Sequence, residues 1–431
     1  MNKKIHILVV TYLPWRDDNS IGNSYSNIFK GTEDRYELAH VYVRDGMPQN
    51  TLVKDYYHIS EKKLMKSFFH RNVTVGKAFH MEKTAETPKD KFSKAYNIMR
   101  ILRWDVFFIG RKIIQMNNRW KTEEFDRFLD NFKPDLVFGT LPTEPISSNI
   151  MIYVKNHCHI PLVTYPWDDW YSFKSGDWKP FTFINRIMSR HYLRKTANES
   201  EFLYVITRLM KTEYEKIFHK TCRLMYKGYD FPQETPRSKT IGKPIHLVYM
   251  GNIGSGRWKT LADIATAIKQ VNHDGQKFFM DVYTLSPTNT AIKNGLNIDG
   301  ASKINPPVPN DEKEQVMDNA DILIHAEPFK KSDYEMYRAS FSTKLVDYFY
   351  ASKCILAVGG MTASTDYLMQ NDAAICVTDK GEIANKLSKI ALKPSIISDY
   401  AKKSWECGFK NHQRKNIQAK MYNDFSKLIN K

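Results

Sequence analysis

Residues 245–261 read IHLVYMGNIGSGRWKTL. Ile245 to Met250 is a short apolar run with β-branched and aromatic members, the composition of a buried strand. Gly251, Gly254 and Gly256 follow, and glycine lets a backbone turn tightly and come close to a ligand. Leu261, Ile264, Ile268 and Val271 then recur at helical spacing. This order places the turn, with Asn252 and Ser255, at a helix N-terminus, where unpaired N–H groups and the dipole favour an anion. Arg257 adds a fixed charge able to hold phosphate in a fork. The expected ligand is the diphosphate of a nucleotide. A βα unit that uses glycine only to change direction would read the same way. The spacing is neither the GxGxxG of dinucleotide folds nor the lysine-bearing pattern of P-loops.

Working outward, 431 residues are enough for two or three domains. Hydrophobic residues at 42% and charged residues at 26% describe a folded chain rather than a disordered one. No apolar run has the length of a membrane span. Ile5 to Val10 is too short for a signal-peptide core and reads as a first strand. Five scattered cysteines without a CxxC pair fit a reducing cytoplasm and argue against structural zinc.

The net charge of +17 is uneven, since residues 61–121 hold 15 Lys/Arg against 5 Asp/Glu. Large aromatics, among them Phe68, Phe69, Phe92, Tyr96, Phe107 and Trp120, alternate with these cations, and 92–118 has helical periodicity. Such a stretch suits an anionic membrane surface or single-stranded nucleic acid. A solvated basic insertion with core aromatics reads equally well. No recognised nucleic-acid module is present, and nucleic acid is not expected as a partner.

In chain order, strands are expected at Ile5–Thr11 and Glu37–Val43, with a helix from about Asn23. Gly22 would sit in the turn before it, with Asn19 and Ser20 as caps. Asp135–Thr140 and Pro161–Tyr165 are further strands, and the second runs into Trp167-Asp168-Asp169-Trp170. Loops at the carboxyl ends of strands form the ligand crevice of open α/β sheets. Asp168 and Asp169 there could supply a catalytic base and a hydroxyl acceptor, or simply cap the next helix. Pro232, Pro236, Gly242 and Pro244 mark 232–244 as a linker. Beyond it strands and helices alternate regularly, the rhythm of a parallel, doubly wound sheet. A last amphipathic helix covers about 411–429.

A second anion site is read at 341–348, FSTKLVDY. Ser342 is the expected N-cap, with Thr343 and Lys344 in the first turn. A lysine there opposes the helix dipole unless an anion is bound. Asp347 faces the same way as Thr343 and could accept ribose hydroxyls. Ordinary capping by these residues is the alternative.

With these residues in hand, the chain resembles a GT-B-fold glycosyltransferase, similar to the family-four-like group that uses nucleotide sugars. The resemblance rests on GNIGSGR (251–257), on FSTKLVDYFYASKCILAVGG (341–360), on KGYD (227–230), and on PDLVFGT followed by PLVTYPWDDW in the first half. It implies two Rossmann-like domains facing across a cleft: 1–235 for the acceptor, 236–410 for the donor, and 411–431 returning to the first. It implies that Arg257 and Lys344 grip the donor diphosphate, that Asp347 binds the ribose, and that 306–309 and 325–327, with Glu327, lie near the base. The donor would be a UDP or GDP sugar, with no true cofactor and no metal. The chain departs from the pattern at Ala339, where a glutamate is frequent, at Asp347, which shortens a glutamate, and at Ser352, which replaces a glycine.

The expected activity is transfer of a sugar to an acceptor hydroxyl in bacterial cell-surface polysaccharide or glycoconjugate synthesis, with retention or inversion left open. The acceptor, a saccharide or lipid-linked saccharide, would lie near Gly22, Asp168 and Asp169. The expected location is the cytoplasm, peripheral at the inner membrane face through 61–121, and self-association is left open. A nucleotide-sugar epimerase and a non-catalytic GT-B subunit are the rival readings. The second is motivated by Ala339.

Overall fold

The computed structural model describes residues 3–70, 72–81, 105–172, 180–234, 240–309 and 311–430. The chain divides into two compact units, Met1–Met225 with Asn416–Lys431, and Tyr226–Lys415. Part of the basic segment (82–104) and part of the linker stretch (235–239) lie outside the described residues.

The first unit contains β1 (Ile5–Thr11), α1 (Ser20–Phe29), β2 (Tyr36–Tyr42), β3 (Asp55–Ile59), α2 (Glu61–Phe69) and β4 (Gly76–His80). It continues with α3 (Asp105–Gln115), α4 (Glu123–Phe132), β5 (Leu136–Gly139), α5 (Pro145–Cys158) and β6 (Leu162–Thr164). Then come α6 (Pro180–Glu199), β7 (Phe202–Val205), α7 (Arg208–Phe218) and β8 (Cys222–Leu224). The sheet order is β4-β3-β2-β1-β5-β6-β7-β8. All pairs are parallel except β3 with β4. β1 lies in the middle and is buried on both faces at Ile7, Leu8, Val9 and Val10, as a central parallel strand must be.

The second unit contains β9 (Ile245–Met250), α8 (Arg257–Val271), β10 (Phe278–Tyr283), α9 (Thr290–Leu296), β11 (Ser302–Asn305), α10 (Lys313–Asn319) and β12 (Ile322–Ala326). It goes on through α11 (Lys331–Tyr334), α12 (Lys344–Tyr350), β13 (Cys354–Val358), α13 (Ala363–Gln370), β14 (Ile375–Val377), α14 (Ile383–Leu392) and α15 (Ser395–Asn411). Its sheet is wholly parallel in the order β11-β10-β9-β12-β13-β14. That is the doubly wound dinucleotide order, in which strand order reverses between β9 and β12. The apolar stripe of α8, Leu261, Ile264 and Ile268, is buried against Leu247, Met280 and Ile324 of the sheet.

The last helix, α16 (Arg414–Ile429), belongs from Asn416 onward to the first unit. Gln418 donates to the carbonyls of Ile28 and Lys30 at 2.9 and 2.8 Å, and so caps the end of α1. Asp424 accepts from the Tyr204 hydroxyl at 2.8 Å and pairs with Arg223 at 2.6 Å. The return of the C-terminal helix to the N-terminal unit, expected from the resemblance, is therefore present.

Two local expectations need correction. The first helix begins at Ser20, and Gly22 lies inside its first turn because Asn19 Oδ1 accepts the Gly22 N–H at 2.7 Å. Ser342 is not the cap of α12. Thr343 holds that position, without a side-chain cap bond, while the Ser342 N–H donates to Ser364 Oγ. Ser352 adopts φ 50° just past α12, the left-handed conformation that glycine supplies at lower cost. This accounts for the glycine usual at that place.

Candidate functional site

In a doubly wound sheet the ligand crevice lies outside the carboxyl ends of the strands where the order reverses. In the second unit that point lies between Met250, ending β9, and Ala326, ending β12. The residues that follow each strand build the site.

The glycine turn is held by its own polar groups. Asn252 Oδ1 accepts the Gly254 N–H at 2.6 Å and the Ser286 hydroxyl at 3.2 Å. The Asn252 carbonyl accepts from the Tyr249 hydroxyl at 2.6 Å. Ser255 (φ 52°) and Gly256 (φ 86°) take left-handed conformations in succession. Gly256 is then the N-cap of α8 and Arg257 its first residue. The turn stands at the head of a four-turn helix, whose dipole favours an anion, while the N–H groups of Arg257, Trp258 and Lys259 bond to the carbonyls of Gly254, Ile253 and Gly256.

Lys344 reaches this turn from the start of α12. Its ammonium donates to the Met250 carbonyl at 2.9 Å and lies 4.9 Å from the centre of the Tyr249 ring. A Cβ on Gly251 would stand 2.2 Å from Lys344 Nζ. Gly251, at φ 142°, is glycine for both space and conformation. Burial lowers the Lys344 ammonium to about 8, and the Arg257 charge adds to the shift.

Arg257 donates through Nε and a terminal nitrogen to Glu327 Oε2 at 3.2 and 3.1 Å. Its guanidinium sits 4.5 Å from the Tyr337 ring centre. Glu327 directly follows β12 and is buried. Desolvation raises its carboxyl, while Arg257 and Lys344 pull it down. His325, two residues earlier in the strand, is pushed down by burial to about 3 and is neutral; its Nε2 lies 3.7 Å from Glu327 Oε1. Two cations and one carboxylate thus converge on one glycine turn. An arriving diphosphate would replace the carboxylate as partner for the cations, with charge-assisted bonds.

Asp347 lies one turn along α12 and accepts from Lys227 at 2.8 Å. Thr343 and Ser342 stand beside Lys344 at the start of the same helix. Glu335 and Arg338, near the Ala339 position, pair at 3.4 Å. The second unit therefore brings together Gly251, Asn252, Gly254, Ser255, Gly256, Arg257, Glu327 and Lys344. Sequence reasoning missed Tyr249, Ser286, Tyr337 and Lys227, and it placed His325 near the base only as a member of 325–327. His325 carried a signal, being the one polar member of the run ILIHA.

Asp168, Asp169 and Gly22 belong to the first unit. Asp169 is buried, and its Oδ1 accepts the N–H groups of Tyr171 and Ser172 at 3.2 and 2.8 Å and the Tyr214 hydroxyl at 3.1 Å. These bonds fix the turn after β6. Asp168 is exposed beside it. A Cβ on Gly22 would meet the Arg16 carbonyl at 2.0 Å, so Gly22 serves the close packing of the loop after β1. A residue missed in this unit is Glu61, which follows β3. It is forked by Arg111 at 2.6 and 3.1 Å and bonded by Tyr12 and Gln115 at 2.7 and 2.6 Å.

No protein-family model and no curated protein matches the chain. Solved structures do. HepE of Anabaena, in complex with UDP and glucose, is 11% identical with TM-score 0.58, covering 98% of this chain and 100% of that one. Sucrose-phosphate synthase from Thermosynechococcus elongatus is 9% identical with TM-score 0.60, covering 99% of each chain. WaaG, a glycosyltransferase involved in lipopolysaccharide biosynthesis, is 12% identical with TM-score 0.55, covering 97% of this chain and 99% of that one. At such identities the likeness establishes the fold, and it is the GT-B fold across the length of the chain.

Proposed function

We propose that this chain is a glycosyltransferase that moves a sugar from a nucleoside diphosphate to an acceptor hydroxyl. The observation that carries the reading is the convergence of Lys344 and Arg257 on the Gly251–Gly256 turn. Cations and the positive end of a helix dipole placed there stabilise the charge that develops on a departing diphosphate. HepE, of the same fold, was crystallised with UDP and glucose, which supports a UDP-sugar donor.

In this reading Arg257 leaves Glu327 for the diphosphate, and Lys344 takes the other phosphate. Asp347 exchanges Lys227 for ribose hydroxyls, and the loop after β11 with His325 borders the base. The cationic charge comes from Arg257 and Lys344, so no resident metal is required. The acceptor side belongs to the strand-end loops of the first unit, with Asp168 as the candidate base if the reaction inverts. The acceptor is a saccharide or lipid-linked saccharide, and the setting is the inner face of a bacterial membrane, in polysaccharide or glycoconjugate synthesis.

The test is release of nucleoside diphosphate from a panel of nucleotide sugars with and without lipid-linked acceptor. Acceptor-dependent release from one donor supports transfer. Donor binding without release under any acceptor condition would instead favour the non-catalytic GT-B subunit.

A further inference from the structure

Helix α3 is turned inside out. It buries Lys112 and Gln115 and leaves Val106, Phe107 and Ile113 exposed at 55%, 38% and 52%. The buried polar side chains tie it to both neighbours. Lys112 donates to the Asn185 carbonyl of α6 at 3.1 Å and to Ser189 Oγ. Gln115 and, beside it, Arg111 bind Glu61 of α2. An amphipathic helix ordinarily places its apolar stripe toward the core, so the reversal asks what its outer face meets.

The flanking helices continue the face. On α2, Met65, Phe68 and Phe69 are exposed at 47%, 54% and 79%. On α6, Phe181, Phe183, Ile184 and Ile187 are exposed at 50%, 50%, 43% and 52%, while the buried residues of that helix begin only at Tyr192. Ten large apolar side chains, each about half exposed, amount to on the order of 1,000 Å². A typical monomer shows a largest patch of roughly 300–600 Å².

The charge around this face selects the occupant. Lys62, Lys63 and Lys66 lie on α2, and Arg186, Arg190 and Arg194 on α6. Glu61 is held by Arg111, and Glu199, at the far end of α6, by Lys155 at 2.9 Å. A symmetric pair of copies would set like charge against like charge. Nucleic acid would use cations and aromatic rings but has no use for Val106, Ile113, Ile184 and Ile187. An anionic bilayer takes both, accepting apolar side chains below its headgroups and cations at them. Among the described residues no helix is long and apolar enough to cross a membrane.

We infer that α2, α3 and the first half of α6 form a docking face for an anionic lipid bilayer, on which the chain lies without crossing. This deepens the proposed function and rests on it only in naming a lipid-linked acceptor as the reason for docking.

The test is co-sedimentation of the full chain with vesicles of phosphatidylcholine alone or mixed equally with phosphatidylglycerol. No nucleotide sugar is present, so the result is independent of glycosyl transfer. Wild type should bind the anionic vesicles at least tenfold more tightly than the neutral ones. The triple variant Phe181→Ser, Ile184→Ser, Ile187→Ser should lose at least tenfold in affinity, with nucleotide-sugar binding intact. Should that variant not fold, Lys62→Glu, Lys63→Glu, Lys66→Glu is read the same way and should lose the preference for anionic lipid. Equal binding to both vesicles, or unchanged binding in the folded variants, overturns the proposal. So does a wild-type dimer that the triple variant dissociates, because a second copy then covers the face.

Discussion

Lys344 occupies the space that a side chain on Gly251 would need: its Nζ lies 2.2 Å from where that Cβ would stand. The two residues are 93 positions apart in sequence, and each explains the other. The glycine allows the ammonium to lie against the end of β9, and the ammonium gives the turn its charge. Gly251→Ala should therefore displace Lys344 as well as strain a backbone held at φ 142°. Affinity for nucleotide sugar should fall at least tenfold, about 1.4 kcal/mol, in a chain that still unfolds cooperatively. Calorimetric titration alongside thermal unfolding checks it, and unchanged affinity would separate the turn from the ligand.

The Lys344 ammonium also sets a pH dependence. Burial holds it at about 8 in the folded chain, against about 10.4 for an unperturbed lysine. Between these values the unfolded chain binds more protons, so this residue's contribution to stability rises with pH across that window. Diphosphate affinity runs the other way, because it needs the ammonium. It should fall as pH passes about 8, by up to about tenfold per unit. Titrations from pH 7 to 9 should show this in wild type and a flat profile in Lys344→Met. A slope that persists in the variant would assign the proton elsewhere.

Asp347 is paired with Lys227 at 2.8 Å and is assigned to the ribose. Asp347→Asn should weaken binding of a nucleoside diphosphate roughly tenfold, or about 1.4 kcal/mol, and inorganic diphosphate by much less. Equal losses for the two ligands would contradict the ribose assignment.

The two aspartates after β6 should separate. Asp169 accepts two backbone N–H groups and the Tyr214 hydroxyl. Asp169→Ala, which leaves these donors without that acceptor, should cost about 1–3 kcal/mol of stability, seen as a lowered thermal midpoint. Asp168→Asn, at an exposed position, should reduce transfer while donor binding holds. Full transfer by Asp168→Asn would remove that residue from the mechanism.

Most of the second unit was legible in the sequence because its strands are short, apolar and separated by helical periodicity, from Ile245–Met250 to Cys354–Val358. The first unit hid more. The strands DYYHI (55–59) and GKAFH (76–80) are half polar and lie toward one edge of the sheet, where the apolar signal is weak. The start of α1 was misplaced by Gly22, which reads as a turn until the contact with Arg16 is seen. In the site, glycines and the lysine at a helix start announce themselves. Pairs such as Arg257–Glu327 and Lys227–Asp347 join residues 70 and 120 positions apart and leave no local trace. The periodicity over 92–118 takes in all of α3 but does not say which of its faces turns inward; Lys112 and Gln115 decide that through partners on other helices.

The most direct measurement is calorimetric binding of a panel of UDP and GDP sugars to wild type and Lys344→Ala side by side. The expected result is selective binding of one nucleotide sugar by the wild type, weakened at least tenfold in the variant. Binding of equal strength in both proteins, or no binding of any nucleotide sugar by the wild type, would contradict the assignment of the Gly251–Arg257 turn and Lys344 as the donor site.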